Sequence, residues 1–83
     1  ATVGGVRLDD PGADLAIMAA LASAASNHTL PFDAFIGEIG LNGSVRAVRG
    51  MPRRASEAKR LGQTRVATPK QIPSVRAMTQ YLA

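Results

Sequence analysis

The sequence predicts an α/β (α+β) domain whose helices pack on a mixed sheet, in the order β-α-β-β-α-β-α. Three observations carry this. Apolar residues recur at helical spacing over two long stretches, 15–21 and 51–61. Short runs rich in Val, Ile and Phe lie before, between and after them. An Asn42-Gly43 pair between two of those runs is the strongest hairpin signal in the chain.

Residues 2–8 read as the first strand, with Val3 and Val6 flanking Gly4-Gly5, a pair that permits a bulge or a close backbone approach. Asp9 and Asp10 follow as candidate N-caps, and Pro11 suits a first helical position because its missing N–H has no intrahelical partner to lose. A helix is expected over 11–26. Leu15, Ile17, Met18 and Leu21 spread bulk around most of its circumference and alanines fill the rest, which marks a central helix rather than a surface one. The stretch SNHTLP ends it, since Pro31 pushes Leu30 into an extended conformation. Residues 35–41, FIGEIGL, read as a strand, Asn42-Gly43 as a type I′ turn with positive φ at both positions, and 44–48 as the returning arm. With Val45 on one face of that arm, Arg46 faces the other, toward solvent. After Gly50, Met51, Ala55, Ala58 and Leu61 recur at i, i+4, i+7 and i+10 and predict an amphipathic helix ending at Gly62. Its outer face holds Arg53, Arg54, Glu57 and Arg60, with Arg53 and Glu57 at ion-pair spacing. TRVAT, 64–68, is a short strand. Ser74 then caps a last helix with Val75, Met78 and Leu82 as its apolar stripe.

Eighty-three residues make one small domain with a modest core, so neighbouring chains or parts are expected to contribute to its stability. The chain begins at Ala1, already inside a strand-like run, and is expected to be a partial or complete domain (1–83) from a longer polypeptide. No cysteine is present, so a disulfide framework or thiolate metal site is excluded, and the single His28 makes no metal site alone. This composition is compatible with a soluble, reducing compartment. The apolar run 15–25 is about half the ~20 residues a bilayer-spanning helix needs, and no basic segment precedes it. It reads as a buried helix, and no membrane contact is expected. The net charge of +4 is unevenly placed. Residues 1–45 hold one arginine against five acids, net −4, and residues 46–83 hold nine Lys or Arg against Glu57, net +8. The second half is a candidate polyanion surface, or a solvated basic face, or an edge that meets the acidic half of a neighbouring copy.

VGGVRLDDPGADLAIMAALAS, then IGEIGLNGSVRAVRG, then RRASEAKRLG together resemble the C-terminal Lon-protease-like domain of the RadA (Sms) family of bacterial DNA-repair proteins, over residues 3–68. The double glycine, the D-P-x-A-D-L-A helix start and the G-E-I-G-L-x-G hairpin occur in the family's order and spacing. The resemblance implies a Lon-protease-like fold here. For the parent protein it implies a cytoplasmic DNA-dependent ATPase or helicase with ATP and Mg at a RecA-like domain and Zn in an N-terminal segment. It further implies a homo-oligomer, a hexameric ring, that drives branch migration on single-stranded and branched DNA alongside a recombinase. None of those cofactors is assigned to these residues, since no G-x-x-x-x-G-K-[ST] phosphate loop is present.

In active Lon-type peptidases, the helix start resembling DPGADLA carries a nucleophilic serine and the helix resembling 51–62 carries a lysine base. A helix N-terminus suits the first role because free N–H groups stabilise developing negative charge. This sequence has Gly12 and Pro52 at those places, and a one-position shift offers only Arg53, whose guanidinium stays protonated. RadA proteins in general lack the pair as well. A non-catalytic domain is therefore the first reading, and a Lon-type serine peptidase or pseudo-peptidase module the alternative.

The remaining candidates have simpler roles. Ser23, Ser26, Ser44, Ser56 and Ser74 sit in helices, caps or turns with no base beside them. Glu38 is expected to pair with a basic neighbour, on this chain or an adjacent subunit. Asp9 and Asp10 are caps before they are a metal pair, because no third ligand is in sight. His28 is expected to be an exposed turn residue and Tyr81 a packing residue. With Phe32 and Phe35 as the other aromatics, base stacking on single strands is poorly supported. The basic cluster is left: Arg46, Arg49, Arg53, Arg54, Lys59 and Arg60 are the candidate DNA-binding residues, with Arg65 and Lys70 nearby. No base-reading motif accompanies them, so contact is expected to be to phosphates, sequence-independent and salt-sensitive. The acidic first half and basic second half also fit head-to-tail packing in a ring.

Overall fold

The computed structural model describes residues 10–82, together with the backbone of two strands, β1 (Thr2–Val3) and β2 (Val6–Arg7). The single strand expected over 2–8 is instead this pair, antiparallel, with Thr2 opposite Arg7 and Val3 opposite Val6. The bulge expected at Gly4-Gly5 and the cap expected of Asp9 lie outside the described residues.

Asp10 caps the next element as expected, its Oδ1 accepting from the Gly12 N–H at 2.9 Å. A 3-10 turn, Pro11–Ala13, leads into α1, Asp14–Ser26. The helix stops at Asn27, which takes a left-handed conformation with φ 55°, one that asparagine tolerates. Past it, His28 is exposed as expected.

Strands β3 (Ala34–Phe35), β4 (Glu38–Ile39), β5 (Val45–Arg46) and β6 (Val66–Ala67) supply the mixed pairing. β3 runs parallel to β6, with Ala34 opposite Val66, and β4 runs antiparallel to β5, with Glu38 opposite Arg46. The strand expected over 35–41 thus breaks at Ile36 and Gly37. The cause is the start of α1: the Gly37 N–H donates to the Gly12 carbonyl at 3.1 Å, and the Gly37 carbonyl accepts from the Leu15 N–H at 3.0 Å. Backbone groups that would continue a ladder are bonded to the helix start instead.

The hairpin forms where expected but with another turn. The Gly40 N–H donates to the Ser44 carbonyl at 2.9 Å, enclosing three loop residues, and only Gly43, at φ 83°, is left-handed there. The type I′ expectation is corrected to a three-residue loop with glycine at the left-handed position. Asn42 is held otherwise: its Oδ1 accepts from the Ser44 N–H at 3.1 Å and the Ser44 hydroxyl at 2.7 Å.

The second long helix, α2 (Met51–Arg60), ends at Gly62, φ 86°. The Gly62 N–H donates to the Lys59 carbonyl and the Gln63 N–H to the Ala58 carbonyl, the paired bonds of a glycine-terminated helix. Leu61, expected on the apolar stripe, is 64% exposed because it lies past the last helical turn. α3 (Val75–Met78) is capped by the Ser74 hydroxyl, which accepts from the Ala77 N–H at 3.1 Å. It continues as a 3-10 turn, Thr79–Tyr81.

The core gathers Leu15, Ala19, Val45, Ala67, Ile72 and Met78. Leu15, Ile72 and Met78 are its largest fully buried side chains, each worth about 1.5–3 kcal/mol of burial. Phe32 packs edge-on against both Phe35 and Tyr81, and the Tyr81 hydroxyl donates to the Gln71 carbonyl at 3.2 Å. α1 meets this core through one side only. Leu15 and Ala19 are buried, whereas Ala20, Leu21, Ala24 and Ala25 are exposed, so the expected central helix is corrected to a one-sided one: β3 and β4 both pack against the buried side. None of the described helices is long and apolar enough to cross a membrane.

Candidate functional site

The two positions that resemble a catalytic pair are not brought together. Gly12 is buried at the 3-10 turn, where the Asp10 cap and the Gly37 strap fix the backbone. Across from it stands Arg54 of α2, whose Nη1 reaches Asp10 Oδ2 at 2.9 Å and whose Nε donates to the Arg49 carbonyl at 3.1 Å. A Cβ on Gly12 would lie 2.5 Å from Arg54 Nη1 and 3.1 Å from its Cζ. A side chain at Gly12 would therefore require the Arg54 guanidinium, the far end of a flexible side chain, to shift. Pro52 does not face this groove, which is about 340 Å³ and lined by Ala13, Ala16, Phe35 and Ala58 around Gly12 and Arg54. It lines a second groove, with Met51, Ala55 and Lys59.

The two carboxylates that line the first groove, Asp10 and Glu57, are each held by an arginine, which favours their ionised form and makes them weaker bases. The Arg54 hydrogen bond, aided by the Gly12 N–H, holds the Asp10 carboxyl below its ordinary range, and Asp10 in turn raises Arg54. The result is an ion pair bridging the head of α1 to α2, with side chains 36% and 53% exposed.

The six candidate DNA-binding residues divide in two. Arg46 bonds Glu38 at 2.6 Å across the β4–β5 ladder, Arg54 bonds Asp10, and Arg60 grips both oxygens of Glu57 through Nε and Nη2. The Glu38 expectation is met within this chain. The expected Arg53–Glu57 pair is corrected: Arg60, three residues on, reaches that carboxylate as a fork, a geometry that favours arginine. Arg49, Arg53 and Lys59 are exposed and have no carboxylate partner among the described residues, and the same holds for Lys70 and Arg76. The six do not share one face. Arg46 stands on the hairpin, while Arg53 and Lys59 are roughly 120° apart around α2.

The acids are as revealing as the cations. Asp33 pairs with Arg65 at 2.9 Å, and Asp14 Oδ2 accepts from the Ile39 N–H at 3.1 Å. Arg65 lowers the pKa of Asp33, and Arg60 lowers that of Glu57. Every carboxylate among the described side chains, Asp10, Asp14, Asp33, Glu38 and Glu57, is thus engaged inside the chain. Sequence reasoning missed the Asp10–Arg54 bridge, since no periodicity links residues 44 apart. It also missed the groove that brings Lys59 and Lys70 to one trough.

Comparison with known proteins places this geometry. The family model of the Lon protease (S16) C-terminal proteolytic domain matches residues 2–78. The DNA repair protein RadA of Mycolicibacterium smegmatis is 49% identical over 83 residues, covering 99% of this chain and 18% of that protein. RadA of Mycobacterium tuberculosis is 56% identical over 69 residues, covering 82% of the chain and 14% of the relative. RadA of Streptococcus pyogenes serotype M3 is 47% identical over 70 residues, covering 83% and 16%. The chain spans less than a fifth of the length of these relatives. A match of this extent shows the family: the chain belongs to the Lon protease C-terminal domain family, as the Lon-like domain of RadA-type DNA repair proteins.

Proposed function

We propose that the chain is a non-catalytic Lon-like domain that holds the sugar-phosphate backbone of DNA without reading its sequence, within a RadA-type repair protein. One observation carries this: the described acids are all engaged internally, while Arg49, Arg53 and Lys59 stand exposed with no carboxylate partner among the described residues. Arg46, Arg54 and Arg60 bring their own carboxylates into any contact, so attraction and repulsion largely cancel for a phosphate nearby. A neighbouring copy offers the free cations few acids, which favours an external polyanion over charge-paired packing between copies. Relatives named as DNA repair proteins support DNA as that polyanion, and the family resemblance adds that the DNA is single-stranded or branched.

Assembly into a hexameric ring, ATP-driven branch migration beside a recombinase and a cytoplasmic location enter this reading from the family resemblance. The ATP, magnesium and zinc of that picture do not fit these residues: the sequence has no phosphate loop and no cysteine, and no cluster of three ligating side chains occurs among the described residues. The peptidase alternative is disfavoured by Gly12 and Pro52, which offer neither a nucleophile nor a base at the two matching positions.

The test compares two double variants for DNA binding. Arg49→Ala with Arg53→Ala is expected to weaken binding by about tenfold or more, as for two lost phosphate contacts. Arg46→Ala with Glu38→Ala, which removes a cation together with the carboxylate that neutralises it, is expected to change it by less than about threefold. Equal losses from both would contradict the division, and no DNA binding by the parent chain at low salt would overturn the reading.

A further inference from the structure

We propose that the groove between α2, β6 and the segment leading to α3 docks an acidic, apolar peptide segment of another protein. The groove is about 450 Å³, and Met51, Pro52, Ala55 and Val66 give it an apolar floor. Lys59 and Lys70 also line it, and neither has a carboxylate partner among the described residues. Two recognition elements therefore coincide: apolar surface that gains from burying leucine-sized side chains, and two ammonium groups that pair with carboxylates. Gln71 adds a third. Its Oε1 is held by the Thr68 N–H at 2.9 Å and the Thr68 hydroxyl at 2.8 Å, which leaves its NH2 group as a donor for a peptide carbonyl.

Charge and shape select this occupant over the others. A second copy of the chain has each of its described carboxylates already engaged, so among the described residues it offers the lysines no carboxylate without a partner. A DNA strand would meet the lysines but leave the floor unused, because no aromatic ring lines the groove for a base to stack on. An extended segment alternating acidic and apolar side chains satisfies both features at once. Lys59 is shared with the proposed DNA contact, whereas Arg49 and Arg53 do not line the groove, so Thr64 and Ala55 are the positions that separate the two.

The experiment titrates the full chain, at near-physiological salt, into two fluorescein-labelled octapeptides of equal charge, one alternating Asp with Leu and one alternating Asp with Ser. The Asp-Leu peptide is expected to bind at least about tenfold more tightly. Thr64→Gln, at an exposed groove residue where the fold is not at stake, and Ala55→Gln are each expected to weaken it by about tenfold while leaving DNA binding unchanged. Lys59→Ala with Lys70→Ala is expected to weaken it similarly. Equal binding of the two peptides would reduce the effect to general charge attraction and overturn the proposal. So would absence of binding, retained affinity in both groove variants, or loss of DNA binding in Thr64→Gln, which would assign the groove to nucleic acid.

Discussion

A glycine and an arginine decide what the head of α1 can do. With no side chain at Gly12, Arg54 reaches Asp10 through space that a serine would need. Gly12→Ser combined with Pro52→Lys is expected to give no turnover of a fluorogenic peptide, because Pro52 faces the other groove and a base there is out of reach of the serine. Measurable cleavage would show that Arg54 had moved aside and that the pair had met. The arginine-bound carboxylates also set the acid response. Asp10, Asp33 and Glu57 have folded pKa values below their unfolded ones, each through its arginine. Their contribution is complete above the unfolded values, near pH 4, and is lost as pH falls through the depressed folded values. Thermal unfolding is expected to be nearly flat from pH 7 to about pH 5 and to move to lower temperature below about pH 4. A Tm that rises on acidification would contradict these pairings. At this scale the caps at Asp10 and Ser74 were legible, since a cap is a bond between residues two or three apart. The Arg54 bridge was not, because it exists only after folding joins distant segments.

Elements show the same division between local and distant causes. The end of α2 at Gly62 was legible because helix termination is written in a few consecutive residues. The turn at Asn42-Gly43 was legible in place and not in type, because the Asn42 side chain bonds to Ser44 and keeps an ordinary φ. The break between β3 and β4 was hidden, since it depends on α1 docking its first turn against Gly37. That docking is tight. A Cβ on Gly37 would lie 2.7 Å from Val45 Cγ1 and 3.4 Å from Leu15 Cδ2, both on buried core residues. Gly37→Ala is therefore expected to destabilise the domain by about 1–3 kcal/mol by overpacking, read from urea unfolding. A neutral substitution would mean that the helix head is not seated on the strand as described.

For the whole molecule, the α/β character and the Lon-like arrangement were legible because alternating periodicities and a specific run of motifs span most of the chain. The distribution of charge was legible only as a total for each half. Folding pairs Arg46, Arg54, Arg60 and Arg65 with acids and leaves the candidates Arg49, Arg53 and Lys59, with Lys70 and Arg76, without a carboxylate partner among the described residues, a sorting that no count of residues reveals. Among the described residues, Asp10, Asp33 and Glu38 of the acidic half are paired with arginines of the same chain. The proposed partner of the cations left over is an external polyanion.

The most direct measurement is the salt dependence of DNA binding, as the slope of log affinity against log salt, for the parent chain and for Arg49→Ala with Arg53→Ala. Contact through three free cations predicts a slope of about −2 to −3 on duplex DNA, at roughly 0.9 per phosphate, and a slope shallower by roughly 2 in the variant. A parent slope near zero, or a slope unchanged in the variant, would contradict the central claim that these two arginines meet phosphates.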